Sequence, residues 1–277
     1  MHDVRLPAIR LPKRLPTRLP KASPRAVALG VPAAAVGAMA AVGVQAWYVA
    51  NRNLPEFEEL DPSGTFGDPQ LPPVRITMLG DSSITAPGLD DPDDIWIRQI
   101  ARRLATSYRV EIVNHAKSGA RARDVFENQV GPATAERGDV AVVSVGANDA
   151  VRGTSMSLVE LLIEEIVTEL RLHHAAVVLC GVGDLGDCPR LPFPLAAIAG
   201  ERCRAANSVH ERVAERVDGV VRAPLREECT ERFRDPGLYS PDLFHPNAEG
   251  HAVWADAAFP VIADAVRTTV RDRSAAR

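Results

Sequence analysis

Two uninterrupted runs of apolar residues constrain the fold of this chain more than any other feature. Residues 140–145 and 175–182 are almost wholly apolar and rich in valine. A strand with one face in water alternates apolar and polar residues, whereas a strand covered on both faces is apolar throughout. Both runs are therefore predicted as central strands of a mainly parallel sheet that has helices on each face.

Strand-like and helix-like stretches alternate along the chain from residue 74 onward. Two more strands are predicted at 74–79 and 109–113, where β-branched residues are frequent. Helical periodicity predicts helices at 95–107, 122–129, 158–173, 195–217 and 248–269. Since strands that alternate with helices form parallel sheets, the sequence predicts the α/β class and a three-layer α/β/α sandwich.

Charge is distributed unevenly along the 277 residues. Residues 1–25 carry seven Lys and Arg against a single Asp, whereas the whole chain has a net charge of −4. The part beyond residue 25 is therefore acidic, which argues against a nucleic-acid partner. The composition, 46% hydrophobic and 25% charged, is that of a globular protein and excludes collagen-like and wholly disordered chains.

Composition divides the chain into four predicted segments. Residues 1–25 repeat Arg-Leu-Pro units and form a basic, proline-rich arm, and residues 26–51 contain no charged residue. A helix of that length can cross a hydrocarbon core of about 30 Å, so 26–51 is predicted as a membrane anchor. Residues 52–73, rich in Pro, Gly and acids, are predicted as a linker, and residues 74–277 as one α/β domain.

Two alternatives to an uncleaved anchor stay open. One is a secretion signal removed near Val44-Gln45-Ala46, and the other is an alanine-rich segment of a cytosolic protein. The positive-inside rule leaves the basic arm in the cytoplasm and the α/β domain outside. The expected location is the cell membrane with an extracytoplasmic domain, or secretion after cleavage, and the sequence indicates no oligomeric state.

The four cysteines all lie within the predicted α/β domain. They are Cys180, Cys188, Cys203 and Cys229. The sequence has neither a Cys-x-x-Cys spacing nor a cluster of histidines, which are the patterns that would indicate a zinc site. Two interpretations stay open: buried free thiols, or at least one disulfide, which an extracytoplasmic domain would favour.

Four short blocks, three of them directly after predicted strands, carry the candidate chemistry. In an open parallel sheet, ligands bind at the carboxyl ends of the strands. In chain order the blocks are Gly80-Asp81-Ser82-Ser83, Asn114-His115-Ala116-Lys117-Ser118-Gly119, Gly146-Ala147-Asn148-Asp149 and Asp242-Leu243-Phe244-His245-Pro246-Asn247. Each block alone could occur by chance. Their order, the positions of three of them after strands and the Asp-x-x-His ending together make a chance occurrence improbable.

Together these blocks resemble those of the SGNH hydrolases, also called the GDSL esterase and lipase family, over roughly residues 74–268. The residues that name the family are a nucleophilic Ser, a Gly, an Asn and a His, which fall here on Ser82, Gly119, Asn148 and His245. The resemblance implies an oxyanion hole made of the backbone N–H groups of Ser82 and Gly119 and the side-chain amide of Asn148.

Acyl-transfer chemistry gives these residues distinct roles. A serine hydroxyl is a poor nucleophile until a base takes its proton, and His245 is the candidate base because imidazole titrates near neutral pH. Asp242, three residues earlier, is placed to orient and stabilise the imidazole. The mechanism needs neither a metal ion nor an organic cofactor, and the sequence has no dinucleotide-binding or phosphate-cradling glycine motif.

The predicted function is hydrolysis of small-molecule or lipid carboxylic esters through an acyl-serine intermediate. An O-acyltransferase acting on cell-envelope sugars or lipids and a non-catalytic envelope binding protein stay open as alternatives. A short or medium acyl chain is expected, and the loop 183–194 with residues 195–198 is a candidate acyl pocket or lid. Ala86 departs from the family pattern, which usually has a glycine there, and its Cβ is expected to narrow the pocket or alter the turn.

Overall fold

The computed structural model describes residues 37, 39–49, 51–53 and 55–276. The chain divides into two units, Met1–Val44 and Gln45–Arg277, and the second contains the sheet. The predicted basic arm and much of the predicted anchor lie outside the described residues. Within those residues, none of the helices is both long and apolar enough to cross a membrane. The anchor, the membrane partner and the location stay predictions.

Six strands form one sheet, with both apolar runs near its middle. The strands are β1 (Gly64–Phe66), β2 (Pro73–Gly80), β3 (Arg109–Asn114), β4 (Gly138–Ser144), β5 (His174–Cys180) and β6 (Val220–Ala223). Their order across the sheet is β1-β3-β2-β4-β5-β6. The pairing of β1 with β3 is antiparallel and the other four pairings are parallel, which confirms the mainly parallel sheet.

The long helices occur where the periodicity predicts them, with ends that differ by a few residues. In chain order the helices between and after the strands are α1 (Ser82–Thr85), α2 (Trp96–Leu104), α3 (Ala122–Asn128), α4 (Val130–Ala135), α5 (Ala147–Arg152), α6 (Met156–Arg171), α7 (Leu195–Arg216), α8 (Leu225–Cys229) and α9 (Ala248–Ala275). The predicted helices correspond to α2, α3, α6, α7 and α9. The others have at most six residues each, too few to show a helical period.

The strands place alternate side chains on opposite faces of the sheet, which produces three layers. In β4, Val140 and Val142 contact one core while Ala141 and Val143 contact the other, and all four side chains are fully buried. Helices α2 and α9 cover the first face, and α3, α4, α6 and α7 cover the second. The predicted α/β/α sandwich is thus confirmed.

Two strands lie outside the sequence prediction. The segment 52–73, predicted as a linker, contributes β1, which pairs Gly64 with Ile112 at the edge of the sheet. β6 follows α7 and pairs with β5. β1 has three residues and β6 has four, and such short strands joined by backbone hydrogen bonds show too little alternation to be recognised.

All four cysteines are buried free thiols, so the expectation of a disulfide is wrong. Cys180 ends β5, Cys203 lies on α7 and Cys229 ends α8, and each packs into a different apolar cluster. Cys188 instead donates its thiol proton to the carbonyl of Leu243. A disulfide requires paired Cβ atoms that face each other at short range, and this fold distributes the cysteines among separate elements.

A buried histidine on α7 makes the stability of the domain depend on pH. Burial, with the positive charge of Arg222 as a second cause, lowers the pKa of His210 to about 4 from an ordinary value of 6.5. The unfolded chain therefore binds this proton at a higher pH than the folded chain. As pH falls below 6.5, the free energy of unfolding decreases, by about 2 kcal/mol at pH 5 for this histidine.

His210→Met is expected to reduce this dependence. Neither ring nitrogen of His210 makes a well-formed hydrogen bond in the described part of the chain, so a thioether of similar size removes only a weak contact with the backbone of Cys180. Urea unfolding at pH 7 and pH 5 should show a smaller difference in the variant. Burial also lowers the pKa of His251, to about 3. The free energy of unfolding of both proteins therefore still decreases in part as pH falls. An equal difference between pH 7 and pH 5 in the two proteins would contradict the prediction.

Candidate active site

The first block forms a tight turn between β2 and α1 that presents Ser82. Gly80 has a φ of +148°, and an added Cβ would overlap the carbonyl oxygen of Ser144 on β4. Glycine is therefore required at this position. The carboxylate of Asp81 caps α1 by accepting from the backbone N–H of Ser83 at 3.0 Å. Ser82 thus begins a helical turn at the carboxyl end of β2.

Two side chains that the sequence analysis did not single out hold this turn. Gln129, buried at the end of α3, accepts from the N–H of Gly80 at 2.8 Å and donates to its carbonyl at 2.9 Å. The indole N–H of Trp96 donates to the carbonyl of Ser83 at 2.8 Å. The backbone on both sides of the serine is therefore hydrogen-bonded to buried side chains from other elements. No motif in the sequence signals either contact.

Asp242, His245 and Ser82 form a hydrogen-bonded relay. Nε2 of His245 lies 3.2 Å from Oγ of Ser82, and Nδ1 of His245 lies 2.7 Å from Oδ2 of Asp242. The second carboxylate oxygen of Asp242 accepts from the backbone N–H groups of Phe244 and His245, each at 3.0 Å. A hydroxyl, an imidazole and a carboxylate hydrogen-bonded in this order have the geometry of a serine nucleophile, its base and the acid that orients the base.

The charge of Asp242 is stabilised although its side chain is only 4% exposed. Burial by itself raises the pKa of this carboxyl group, but the hydrogen bonds from His245 and from two backbone N–H groups outweigh it and hold the pKa below its ordinary value. Asp242 is therefore ionised at neutral pH. An ionised partner favours a positive charge on His245, which a general base acquires during the reaction.

The loop that carries the relay is fixed by a neighbouring segment. Leu243 has a φ of +63°, in the left-handed region that residues with a Cβ rarely adopt. Its carbonyl accepts from the backbone N–H of Arg190 at 3.0 Å and from the thiol of Cys188. The guanidinium of Arg190 also lies 3.9 Å from the carboxylate of Asp242. These contacts hold the carboxylate beside His245.

Gly119 and Asn148 follow β3 and β4 and reach the same edge of the sheet as the serine. The N–H of Lys117 donates to the carbonyl of Gly80 at 3.1 Å, which ties the second block to the end of β2. Asn148 lies in the first turn of α5, where its side-chain amide donates to Asp81 at 3.4 Å. The structure thus brings the groups predicted for the oxyanion hole to three adjacent strand ends, and their catalytic role stays a prediction.

A cleft opens beside Ser82 towards the ends of β4, β5 and β6. Its empty space, with the open mouth included, is about 830 Å³. Apolar side chains dominate its walls: Trp96, Val145, Val182, Leu185, Leu225, Phe233, Tyr239 and Trp254. The loop predicted as a pocket contributes residues 183–185 to the lining, whereas the described residues 195–198 do not line the cleft.

Ala86 adopts the conformation for which the family's glycine is suited. It ends α1 with φ 46° and ψ 52°, in the left-handed region. That region costs a residue with a Cβ about 1 kcal/mol relative to glycine. The methyl group is buried in the core on the α2 and α9 face, and Ala86 does not belong to the described lining of the cleft. The departure therefore strains the turn and does not narrow the cleft.

Metal ligands are not grouped in the described residues: no three His, Cys, Asp or Glu side chains there are arranged to hold an ion. Three histidines outside the relay, His174, His210 and His251, are buried. Nδ1 of His251 accepts from the backbone N–H of Trp96 at 3.4 Å, and Nε2 of His174 lies 3.1 Å from the hydroxyl of Thr77. Their contacts link α9 to α2 and β5 to β2, which is a structural role.

Comparison with known sequences agrees with this geometry. The sequence model of the GDSL-like Lipase/Acylhydrolase family matches residues 78–253, a span that includes all four blocks. A GDSL-like esterase of Mycobacterium tuberculosis is 33% identical over 205 residues, which are 70% of this chain and 63% of the relative. The matched chain therefore spans less than two thirds of the length of that relative.

Solved structures share the fold. The crystal structure of TesA is 21% identical with a TM-score of 0.59, and the match covers 69% of this chain and 99% of TesA. The psychrotrophic esterase EstA of a Pseudoalteromonas species is 16% identical with a TM-score of 0.55, and the match covers 69% of this chain and 97% of EstA. At these identities the likeness establishes the architecture alone.

Proposed function

Since the chain belongs to the GDSL-like lipase/acylhydrolase family, we propose that it is a serine esterase that hydrolyses carboxylic esters through an acyl-Ser82 intermediate. The observation that carries this proposal is the relay from Ser82 through His245 to Asp242, with contacts of 3.2 Å and 2.7 Å. The name of the Mycobacterium tuberculosis relative, a GDSL-like esterase, agrees with this reaction class.

The first half-reaction transfers the acyl group to the enzyme. Nε2 of His245 accepts the hydroxyl proton while Oγ of Ser82 attacks the ester carbonyl carbon. The carbonyl oxygen becomes an oxyanion, which the N–H groups of Ser82 and Gly119 and the amide of Asn148 stabilise. The carbon–oxygen bond to the alcohol then breaks, His245 returns the proton to the leaving alkoxide, and the acyl-serine ester remains.

The second half-reaction restores the serine. Water loses a proton to His245 and attacks the acyl carbon, which forms a second oxyanion at the same site. This intermediate collapses with cleavage of the bond to Oγ, His245 protonates the serine, and the carboxylic acid leaves. Asp242 stays ionised throughout and stabilises the imidazolium in both halves.

The apolar cleft supports an uncharged hydrocarbon acyl group as the part of the substrate bound beside Ser82. Its walls include Val182, Leu185 and Leu225, and each buried methylene of an acyl chain contributes about 0.8 kcal/mol of binding free energy. A short or medium acyl chain gains from this burial, and we propose esters of that length as substrates.

A series of p-nitrophenyl esters from acetate to palmitate tests the proposal with the purified full-length protein. We expect turnover with a maximum at a short or medium acyl length, and a fluorophosphonate reagent should label Ser82, as read by peptide mass spectrometry. Absence of both turnover and labelling would refute a serine esterase. Added glycerol or sugar distinguishes the O-acyltransferase, because acyl product on the acceptor would then replace free acid.

A further inference from the structure

The two sides of the nucleophile differ in chemistry. On the side of β4, β5 and β6 lies the apolar cleft. On the opposite side, next to β2, β3 ends in the block that contains Gly119. The reacting carbon at Ser82 carries three groups: the carbonyl oxygen at the proposed oxyanion hole, the acyl arm in the apolar cleft, and the alcohol arm. The oxygen of the alcohol arm lies next to His245, and we take its remaining atoms to extend out of the cleft past Gly119. This assignment rests on the proposed function.

A guanidinium group lies over Gly119. Nη2 of Arg152 is 3.5 Å from the position that a Cβ on Gly119 would occupy. Arg152 is on α5, four residues after Asn148, and residues at that spacing lie on the same face of a helix. The separation along the helix axis is about 6 Å. Arg152 therefore extends the face that carries Asn148, one helical turn from the proposed oxyanion hole.

Arg152 differs from the other cationic side chains beside Gly119 because no carboxylate in the described residues pairs with it. Lys117 pairs with Glu59 at 3.1 Å, and Arg121 pairs with Asp124 at 3.6 Å. Arg152 is exposed, and it makes no ion pair or side-chain hydrogen bond with any residue that the structure describes. A planar guanidinium with free donors is suited to bind a phosphate or carboxylate through two parallel hydrogen bonds.

We propose that Arg152 is a specificity residue that binds an anionic group, phosphate or carboxylate, on the alcohol portion of the ester. The substrate class is then an amphiphilic ester with an apolar acyl chain and a negatively charged head a few bonds from the ester oxygen. Such an ester matches the apolar cleft on one side of Ser82 and the cation on the other.

Matched esters measure this preference directly. Mono-octanoylglycerol 3-phosphate and mono-octanoylglycerol differ only in the phosphate, and mono-octanoylglycerate carries a carboxylate in its place. In the wild-type protein we expect kcat/KM to be higher for the anionic esters. In Arg152→Gln the ratio of anionic to neutral kcat/KM should fall about tenfold, mainly through KM, because a charge-assisted hydrogen bond is lost. Arg152→Lys should keep part of the ratio.

Arg109→Gln is the matched control, since Arg109 is exposed at the start of β3, away from the carboxyl ends of the strands, and its loss changes the net charge equally. It should leave the ratio within twofold of the wild-type value. An equal fall for both esters in Arg152→Gln would overturn the inference and indicate a contact with the oxyanion itself. An unchanged ratio would overturn it as well.

Failure of the proposed function is distinguishable from failure of this inference. If the wild-type protein hydrolyses none of these esters, the esterase proposal fails, and binding of 1-O-octylglycerol 3-phosphate, the ether analogue of the phosphate ester, to the Ser82→Ala protein still tests Arg152. Calorimetry should then show that the added Arg152→Gln change weakens the affinity at least threefold. The effect of the substitution should be smaller at high salt, which screens the charges. Equal affinities would refute the anion site.

Discussion

Ser82→Ala should lower kcat for ester hydrolysis by at least about 10⁴-fold, with the fold intact. Removal of a serine nucleophile eliminates the covalent pathway, and what remains is the catalysis supplied by oxyanion stabilisation and binding alone. Oγ of Ser82 contacts Nε2 of His245 across a half-buried site, so its loss creates no large cavity and should change the free energy of unfolding by less than about 1 kcal/mol. Stopped assays at high enzyme concentration and urea unfolding measure both quantities.

The neighbouring serine provides the matched control. The hydroxyl of Ser83 lies 2.7 Å from the hydroxyl of Ser144 and makes no contact with His245. Ser83→Ala should therefore keep kcat within about tenfold of the wild-type value. If the Ser82→Ala protein retained more than a tenth of the activity while Ser83→Ala lost it, the nucleophile would be assigned wrongly.

Asp242→Asn should lower kcat by about 10³- to 10⁴-fold at neutral pH. The two backbone N–H groups of Phe244 and His245 require an acceptor from this side chain. The amide oxygen must meet them, which turns the amide NH₂ towards Nδ1 of His245. That nitrogen then has to be an acceptor, so the ring proton moves to Nε2 and points at Ser82. The imidazole in this tautomer cannot accept the serine proton.

The profile of kcat against pH checks this mechanism. Loss of the carboxylate should leave activity low through neutral pH, and thermal unfolding should show that the fold persists because both backbone donors stay satisfied. Asp256→Asn is the matched control, since that carboxylate is exposed on α9 and pairs with Arg103. A variant at Asp242 with more than a tenth of wild-type kcat at pH 7 would contradict the orienting role.

The proximity of the candidate site residues could be predicted from the sequence because parallel strands bring distant blocks together. Ser82, Gly119 and Asn148 are far apart in the chain, yet each lies within five residues of the end of a strand whose apolar pattern is strong enough to recognise. The carboxyl ends of β2, β3 and β4 meet at one edge, so the order of motifs along the chain was sufficient. His245 is assigned by the resemblance to the SGNH family, and the three-residue spacing places Asp242 beside it.

The supporting contacts could not be predicted, because they depend on tertiary packing. Gln129 is an ordinary helix-end residue until the fold places it against both backbone groups of Gly80. Arg190 reaches Asp242 from a loop more than fifty residues away in the chain. The left-handed backbone of Ala86 is set by the turn around it and opposes the local preference of alanine. No short pattern encodes these two contacts or this backbone conformation.

The free thiols determine how the stability of this domain responds to the redox potential of its surroundings. Burial raises the pKa of Cys180, Cys188 and Cys229 to about 12 and that of Cys203 to about 11, so the thiolates that react with disulfides and oxidants are scarce in the native protein. No covalent link among these residues contributes to the free energy of folding. The stability of the domain is therefore expected to be insensitive to redox potential, equal in a reducing and in an oxidising compartment.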